Sequence, residues 1–244
     1  MSMQGGRGIQ KAFVFMVAML LCATNGYAFD YRLGMGATVN HVIDTNNRNR
    51  NGQTVDVVGD VTWLFSEVGF FRLGAAAGAG YNDFIKQDGD AATLEHWTGT
   101  ASVGMALPVD DVSSLHIYGA LHGAQTTQAG FEAAKYGPLF GFGYEGQKYW
   151  WDIDLGPQIK SQLLLEESDP DYDRETSSGM YNAAVVGYRL GKRWAIALTH
   201  RVYDYRDLPF INNAVTGYRE SLTQLSFYWV GQIVKAEPEP DFVP

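Results

Sequence analysis

The sequence predicts an all-β chain closed into a single antiparallel up-and-down barrel of about ten strands that spans a membrane. Three observations carry this reading. The first is the stretch Thr54 to Asn82, which reads as two alternating arms around a short turn. On the first arm Val55, Val57, Gly59, Val61, Trp63 and Phe65 share one face, and Asp56, Val58, Asp60, Thr62 and Leu64 share the other. On the second arm Phe71, Leu73, Ala75, Ala77, Ala79 and Tyr81 oppose Arg72, Gly74, Ala76, Gly78, Gly80 and Asn82. Period-two alternation marks strands, because successive side chains leave opposite faces of the pleat. The second observation is the division of chemistry between the faces: one apolar throughout, the other carrying Asp, Arg, Asn and Gly. That suits a wall with lipid outside and a polar lumen inside, and the arms are long enough for a tilted membrane strand. The third is composition. The chain is 46% apolar, 14% aromatic and only 18% charged, with 28 glycines, yet its mean hydropathy is −0.16. Apolar positions are dispersed, and no long apolar run exists beyond the N-terminus, which excludes a helical membrane protein.

The N-terminal segment 1–28 is expected to be a cleaved secretory signal. Arg7 and Lys11 supply a positive start, Ala12 to Cys22 an apolar stretch, and Gly26-Tyr27-Ala28 small residues for cleavage before Phe29. Met19-Leu20-Leu21-Cys22 is a poor lipoprotein box, since Leu21 stands where a small residue is wanted. Cys22 is the chain's single cysteine, so a mature chain has no disulfide or thiolate chemistry. Loss of Arg7 and Lys11 takes the formal charge from −9 to −11. An acidic exported chain is a poor nucleic-acid binder.

The strands follow in order from the same alternation. The first covers Tyr31 to Ile43, with Leu33, Met35, Ala37 and Val39 outward and Arg32, Gly34, Gly36, Thr38 and Asn40 inward. A polar loop, DTNNRNRNGQ, leads to the two arms above, which a turn at Ser66 to Gly69 joins. A loop over Asp83 to Leu94 precedes the fourth strand, Glu95 to Leu107, and PVDDVS leads to the fifth, Ser114 to Ala124. A loop around Thr126 to Ala134 precedes the sixth, Lys135 to Glu145, with Tyr136, Phe140, Phe142 and Tyr144 outward. Gly146-Gln147-Lys148 opens the seventh, Tyr149 to Leu164, with Trp151, Ile153, Leu155 and Ile159 outward and Asp152, Asp154, Gln158 and Lys160 inward. The acidic loop Leu165 to Ser178 precedes the eighth, Gly179 to Leu190; Gly191-Lys192 leads to the ninth, Arg193 to Tyr203. A long polar loop, Asp204 to Gly217, leads to the tenth, Tyr218 to Val234. The barrel therefore covers 29–234, and the acidic, proline-rich segment 235–244 is expected to be disordered.

Connections alternate long and short, which puts short turns and both termini on the periplasmic side and long loops outside. Trp63, Tyr149, Trp150, Trp151 and Trp194 fall near the short turns, and Tyr81, Trp97, Tyr136 and Tyr203 near the long loops, as two aromatic girdles. On this pattern the chain, over Phe29 to Val234, resembles the small Gram-negative outer-membrane β-barrels as a class. The resemblance implies export to the cell outer membrane, contact with its lipid and lipopolysaccharide, and help from the barrel-assembly machinery. Such barrels usually close on an aromatic residue at the last strand's end; here Phe227 and Trp229 can serve, although further residues follow. A soluble lipocalin-like barrel is the rival, but it needs apolar side chains inside, and the Trp-rich outward faces argue against that.

A barrel of this size is narrow and largely filled by side chains. Its inward charges are nearly balanced: Arg32, Arg72 and Arg189 at the periplasmic level with Glu145, Asp152 and Asp154. If the acidic loop is centred near residue 171 or 172, Asp154 lies opposite Arg189. The set reads as a paired plug that offsets the desolvation of buried charge, or as an ion pathway. His122 faces inward opposite Thr100 and diagonal to Ser102, with Asp60 at a similar height, so a hydroxyl, an imidazole and a carboxylate are available for nucleophilic catalysis. Asp60 is remote from His122, and substrate would reach such a site poorly. His96 and His116 share the face as metal candidates but are spread vertically. Asp169, Asp171 and Asp173 alternate as in a calcium loop, but Arg174 stands where Gly is needed and Met180 where Glu is needed, which rules out an EF-hand. No cofactor is implied.

Pro138 and Pro157 sit inside strands and nearly opposite each other, each removing a ladder donor. They mark a bulge or a lateral seam, the latter similar to the proline-flanked gaps of the outer-membrane palmitoyl transferase barrel; none of that enzyme's motifs occurs here. The leading expectation is a non-enzymatic surface or envelope role. The alternatives are a lipid-acting enzyme or hydrophobe transporter using the seam, and a small ion-conducting pore.

Overall fold

The computed structural model describes residues 29–43, 49–85, 91–128, 131–165, 175–205 and 219–233. The expected signal segment 1–28, the Asp169, Asp171 and Asp173 triplet and the tail 235–244 lie outside them. Ten strands form one closed barrel: β1 Phe29–Ile43, β2 Asn49–Leu64, β3 Gly69–Ile85, β4 Ala91–Asp110, β5 Ser113–Gln128, β6 Phe131–Glu145, β7 Tyr149–Leu165, β8 Glu175–Arg189, β9 Trp194–Asp204 and β10 Arg219–Ile233. Each pairs antiparallel with its sequence neighbours, and β1 closes on β10 from Phe29↔Ile233 to Ile43↔Arg219.

The expected faces hold. The outward set is solvent-accessible and apolar: Leu121 is 69% exposed, Val55 64% and Phe140 59%, with Met35, Val103, Leu155, Leu198 and Leu225 beside them. Inward positions on the same strands are buried and polar: Thr38, Asn40, Asp56, His96, His122, Gln224. A polar interior and an apolar belt outside is the reverse of a soluble barrel, so this is a transmembrane wall. Near the short turns the belt ends in stacked aromatics: Trp63 on Phe71 (5.6 Å between centroids), Tyr144 on Tyr149 (5.4 Å) and Trp194 on Phe227 (5.1 Å), with Tyr31 edge-on to Trp229 (5.9 Å). Two expected girdle members turn inward instead. Trp150 is 2% exposed and lies in the lumen, one position out of phase with Trp151; Tyr203 is fully buried there too.

The strands outrun the alternation at the end away from the termini. β2 begins at Asn49, inside the expected DTNNRNRNGQ loop, and β4 begins at Ala91. The expected loop Thr126–Ala134 shrinks to positions 129–130, because Gln128 pairs with Phe131. Beyond the lipid both strand faces meet water, so the polar/apolar alternation disappears while backbone pairing continues.

Interior packing explains some of the glycines. A side chain at Gly78 would put its Cβ against the Asp56 carboxylate and 2.8 Å from His96 Nε2; β3 gives up its side chain so that β2 and β4 can meet across it. The short turns are tied locally: Phe65 N–H donates to Gly69 O (3.0 Å), Gly69 N–H to Ser66 Oγ (2.7 Å), and Val112 N–H to Asp110 Oδ1 (2.9 Å).

Candidate functional site

A succession of polar clusters lines the lumen from the turn end upward. At the mouth Arg32 Nε donates to both Asp60 oxygens, each at 2.9 Å, and Arg32 Nη1 lies 3.8 Å from Glu145. Arg189 pairs with the same Glu145 and donates to Gly146 O at 2.5 Å. The buried ring of Trp150 lies beneath both guanidinium groups, 4.7 Å from that of Arg32 and 5.8 Å from that of Arg189. Arg72 meets Asp152 (3.4 Å), His116 Nδ1 (3.3 Å) and Thr62 (3.2 Å), and stacks over Phe70. Arg32, Arg189 and Glu145 are thus brought into one cluster, and Arg72 and Asp152 into a second. Asp154 does not face Arg189. β7 pairs with β8 as Tyr149↔Tyr188, so Asp154 lies opposite Ala183 and the Arg189 N–H bonds Lys148 O. The hairpin centre therefore falls earlier in the chain than residue 171. Asp154 instead accepts from the Tyr118 hydroxyl at 2.7 Å.

Above this level the lumen closes. Asp56 is a hub: it accepts from Thr38, from Thr54 Oγ1 (2.6 Å) and from Gln224 Nε2 (2.7 Å), and His96 Nε2 lies at 3.0 Å. Beside it Lys135 and Glu220 form an ion pair with both side chains fully buried. Glu220 also accepts from Asn40 (2.9 Å) and Thr126 (2.7 Å). His122 bridges Thr100 (Nδ1, 3.0 Å) and the Tyr203 hydroxyl (Nε2, 2.8 Å) and is stacked on Tyr181 at 4.3 Å.

The candidate catalytic set is not assembled. His122 is committed to Thr100 and Tyr203, Asp60 to Arg32, and the Ser102 hydroxyl donates to Arg72 O at 3.3 Å. His96 and His116 sit in separate clusters, with Asp56 and with Arg72. Among the described residues no group of three or more His, Cys, Asp or Glu is placed to hold a metal.

Pro138 and Pro157 coincide with a break in the β6–β7 ladder, which runs to Tyr136↔Lys160 and resumes, shifted, at Phe140↔Leu155. The backbones nevertheless stay in contact there. A Cβ on Gly137 would fall 2.1 Å from Pro157 O, and one on Gly156 would fall 2.3 Å from Pro138 O.

Two spaces remain. A vestibule of about 980 Å³ opens at the turn end, lined by Asp30, Arg32, Asp60, Arg72, His116, Glu145, Arg189 and Lys192 among others. Above it is an inner cavity of about 140 Å³, lined by Tyr118, Trp150, Asp152, Asp154, Thr199, Arg201, Gln224 and Tyr228, among others. Arg32, Asp60 and Arg72 line both and form the neck.

Sequence parity places the mouth charges inside. It does not single out the Asp56–His96–Gln224 hub, the Lys135–Glu220 pair, Tyr118 or Arg201. Parity marks Lys135 as inward, two residues before Gly137, but its partner lies 85 positions away.

No protein-family model matches the sequence, and no curated protein matches it. Among solved structures the chain is similar to the outer membrane protease OmpT from Escherichia coli (9% identity, 85% of this chain and 97% of that one, TM-score 0.47). It is also similar to Ail, the attachment invasion locus protein of Yersinia pestis (8%, 84% and 99%, TM-score 0.41). A third is an outer membrane channel from Pseudomonas putida F1 (7%, 84% and 96%, TM-score 0.41). Those names cover a protease, an attachment protein and a channel, and no residue role passes from them to this chain.

Proposed function

We propose that this chain is an exported outer-membrane barrel with a non-enzymatic role at the cell surface or in the envelope. On this reading a signal segment is cleaved after Ala28 and the assembly machinery inserts the barrel. The short turns then face the periplasm, and the outward belt sits in lipid and lipopolysaccharide. The observation that carries the reading is the filling of the lumen away from the mouth: the Asp56 hub, the Lys135–Glu220 pair and the His122–Tyr203–Tyr181 stack occupy the section with buried side chains. Buried side chains across the section narrow any water path among the described residues, which disfavours the ion pore. Purified barrel in planar bilayers should show no steady conductance; a stable open level would overturn the proposal.

One observation favours a second reading, a lipid-acting enzyme or hydrophobe transporter: the ladder break beside Pro138 and Pro157. Against it stands the close backbone approach at Gly137 and Gly156, which leaves no width for an acyl chain. Incubation with labelled phospholipid decides between them. We expect the lipid to be recovered unchanged, and modified or translocated lipid would favour the seam.

A further inference from the structure

We propose that the inner cavity is a binding site for one small zwitterion, a molecule bearing both an ammonium and a carboxylate, taken up from the vestibule. This goes beyond the envelope role and does not depend on it.

Two half-buried luminal charges lack a counterion among the described residues. Among the described residues Arg32, Arg72 and Arg189 have Asp60, Asp152 and Glu145, and Lys135 has Glu220; Asp56 is held by Thr38, Thr54, His96 and Gln224. Among the same residues Asp154 and Arg201 have no ion pair. Asp154 receives the neutral Tyr118 hydroxyl. Arg201 likewise meets neutral groups, Gln224 in a long contact of 3.5 Å and the Tyr181 hydroxyl. Both charges line the same 140 Å³ cavity. A charge taken out of water without a counterion is costly. Among the described residues the lumen pairs its other arginines and Lys135, surrounds Asp56 with hydrogen bonds, and leaves one half-buried charge of each sign in one cavity, which suits a neutral, doubly charged occupant.

Their placement sets the occupant's shape. Asp154 pairs with Ala183 on β8, and Ala183 pairs with Arg201 on β9. The two charges therefore stand at one height with one strand between them, about 10 Å apart at the backbone from two strand spacings. Across that gap a carboxylate can take the Arg201 guanidinium as a forked acceptor while an ammonium donates to Asp154. Thr98, Thr100 and Thr199 line the cavity as neutral polar neighbours. A second unmet group lies at the neck: Arg32 is 9% exposed, and its Nη1 is buried with no hydrogen-bond acceptor. Size excludes larger ligands, since sites for drug-sized molecules or acyl chains run to roughly 300–1,000 Å³. The neck of Arg32, Asp60 and Arg72 opens toward the vestibule, so supply comes from the turn side.

The test is calorimetric titration of the purified full barrel in detergent with glycine, β-alanine and 4-aminobutyrate, using acetate and methylammonium as single-charge controls. At least one zwitterion should bind saturably and about tenfold or more tighter than either control, and Arg201→Gln and Asp154→Asn should each weaken it by about tenfold or more. Ala76→Leu, which fills the cavity while keeping both charges, should abolish binding. Heat-modifiable gel migration reports whether each variant folds. If a charge variant does not fold, Ala76→Leu and competition by acetate against the zwitterion in the parent barrel decide the matter. Absence of binding by all three zwitterions, equal binding of acetate or methylammonium, or binding that survives Ala76→Leu would overturn the proposal, leaving the cavity a water pocket only.

Discussion

At the scale of single residues, the Lys135–Glu220 pair is the most stringent test of the buried network. Both side chains are fully enclosed, so their desolvation is offset by each other and by Asn40 and Thr126. Removing one partner strands a buried charge. Lys135→Met should lower stability by roughly 3–5 kcal/mol, while Lys135→Met with Glu220→Leu should recover most of that loss. Urea unfolding in detergent micelles, followed by tryptophan fluorescence, measures both; equal loss in the single and the double variant would mean that the pair is not acting as a unit. At the mouth Arg32 and Arg189 share Glu145 and the Trp150 face. There a planar, delocalised cation serves better than an ammonium, because it stacks and forks at once.

Among the elements, the β6–β7 hairpin is the unusual one. Two prolines remove ladder donors and the register slips, yet Gly137 and Gly156 let the two backbones close to contact. Gly156→Val would bring a Cβ within 2.3 Å of Pro138 O and 2.7 Å of Leu139 Cα. It should destabilise the barrel by about 1–3 kcal/mol or prevent its assembly, as overpacking does. Gly191→Ala, in open space, is the control. Folding yield and urea midpoint compare the two, and an unaffected Gly156→Val barrel would mean that the seam is open.

The same hairpin shows how far a sequence alone can be read. The strand count and outward faces are legible because lipid imposes a period of two on every side chain in its thickness; Val55, Leu121 and Phe140 can go only one way. Two things are not. Strand ends beyond the lipid carry no such constraint, so the extensions at Asn49 and Gln128 leave no mark in the pattern. Nor does parity say which inward charge meets which. Alternation leaves the centre of the β7–β8 hairpin open, and a shift of a few residues along a strand changes every partner, which is how Asp154 comes to face Ala183 rather than Arg189. Closeness to a turn or loop is also a weaker guide than parity. It suggests a girdle position for Trp150 and Tyr203, whereas parity alone sends Trp150 inside, opposite in phase to Trp151.

For the whole molecule, these parts make a cup rather than a tube. The end where β1 begins and β10 ends opens into a vestibule of about 980 Å³. Among the described residues the other half is filled by aromatic rings and polar groups, with Tyr203, Leu94, Leu222 and Gln224 among the largest enclosed side chains. A filled half stiffens the barrel, and an open half gives the turn end a recess that the described residues do not extend to the other end. Asymmetric access is the central claim, and single-cysteine accessibility tests it most directly, because Cys22 is the chain's one cysteine and lies within segment 1–28. Ala106 faces the lumen and lines the vestibule. With the barrel oriented in liposomes, Ala106→Cys should react with a charged, membrane-impermeant methanethiosulfonate added on the side of the short turns and stay unlabelled when the reagent is added on the other side. Equal labelling from both sides would contradict the account.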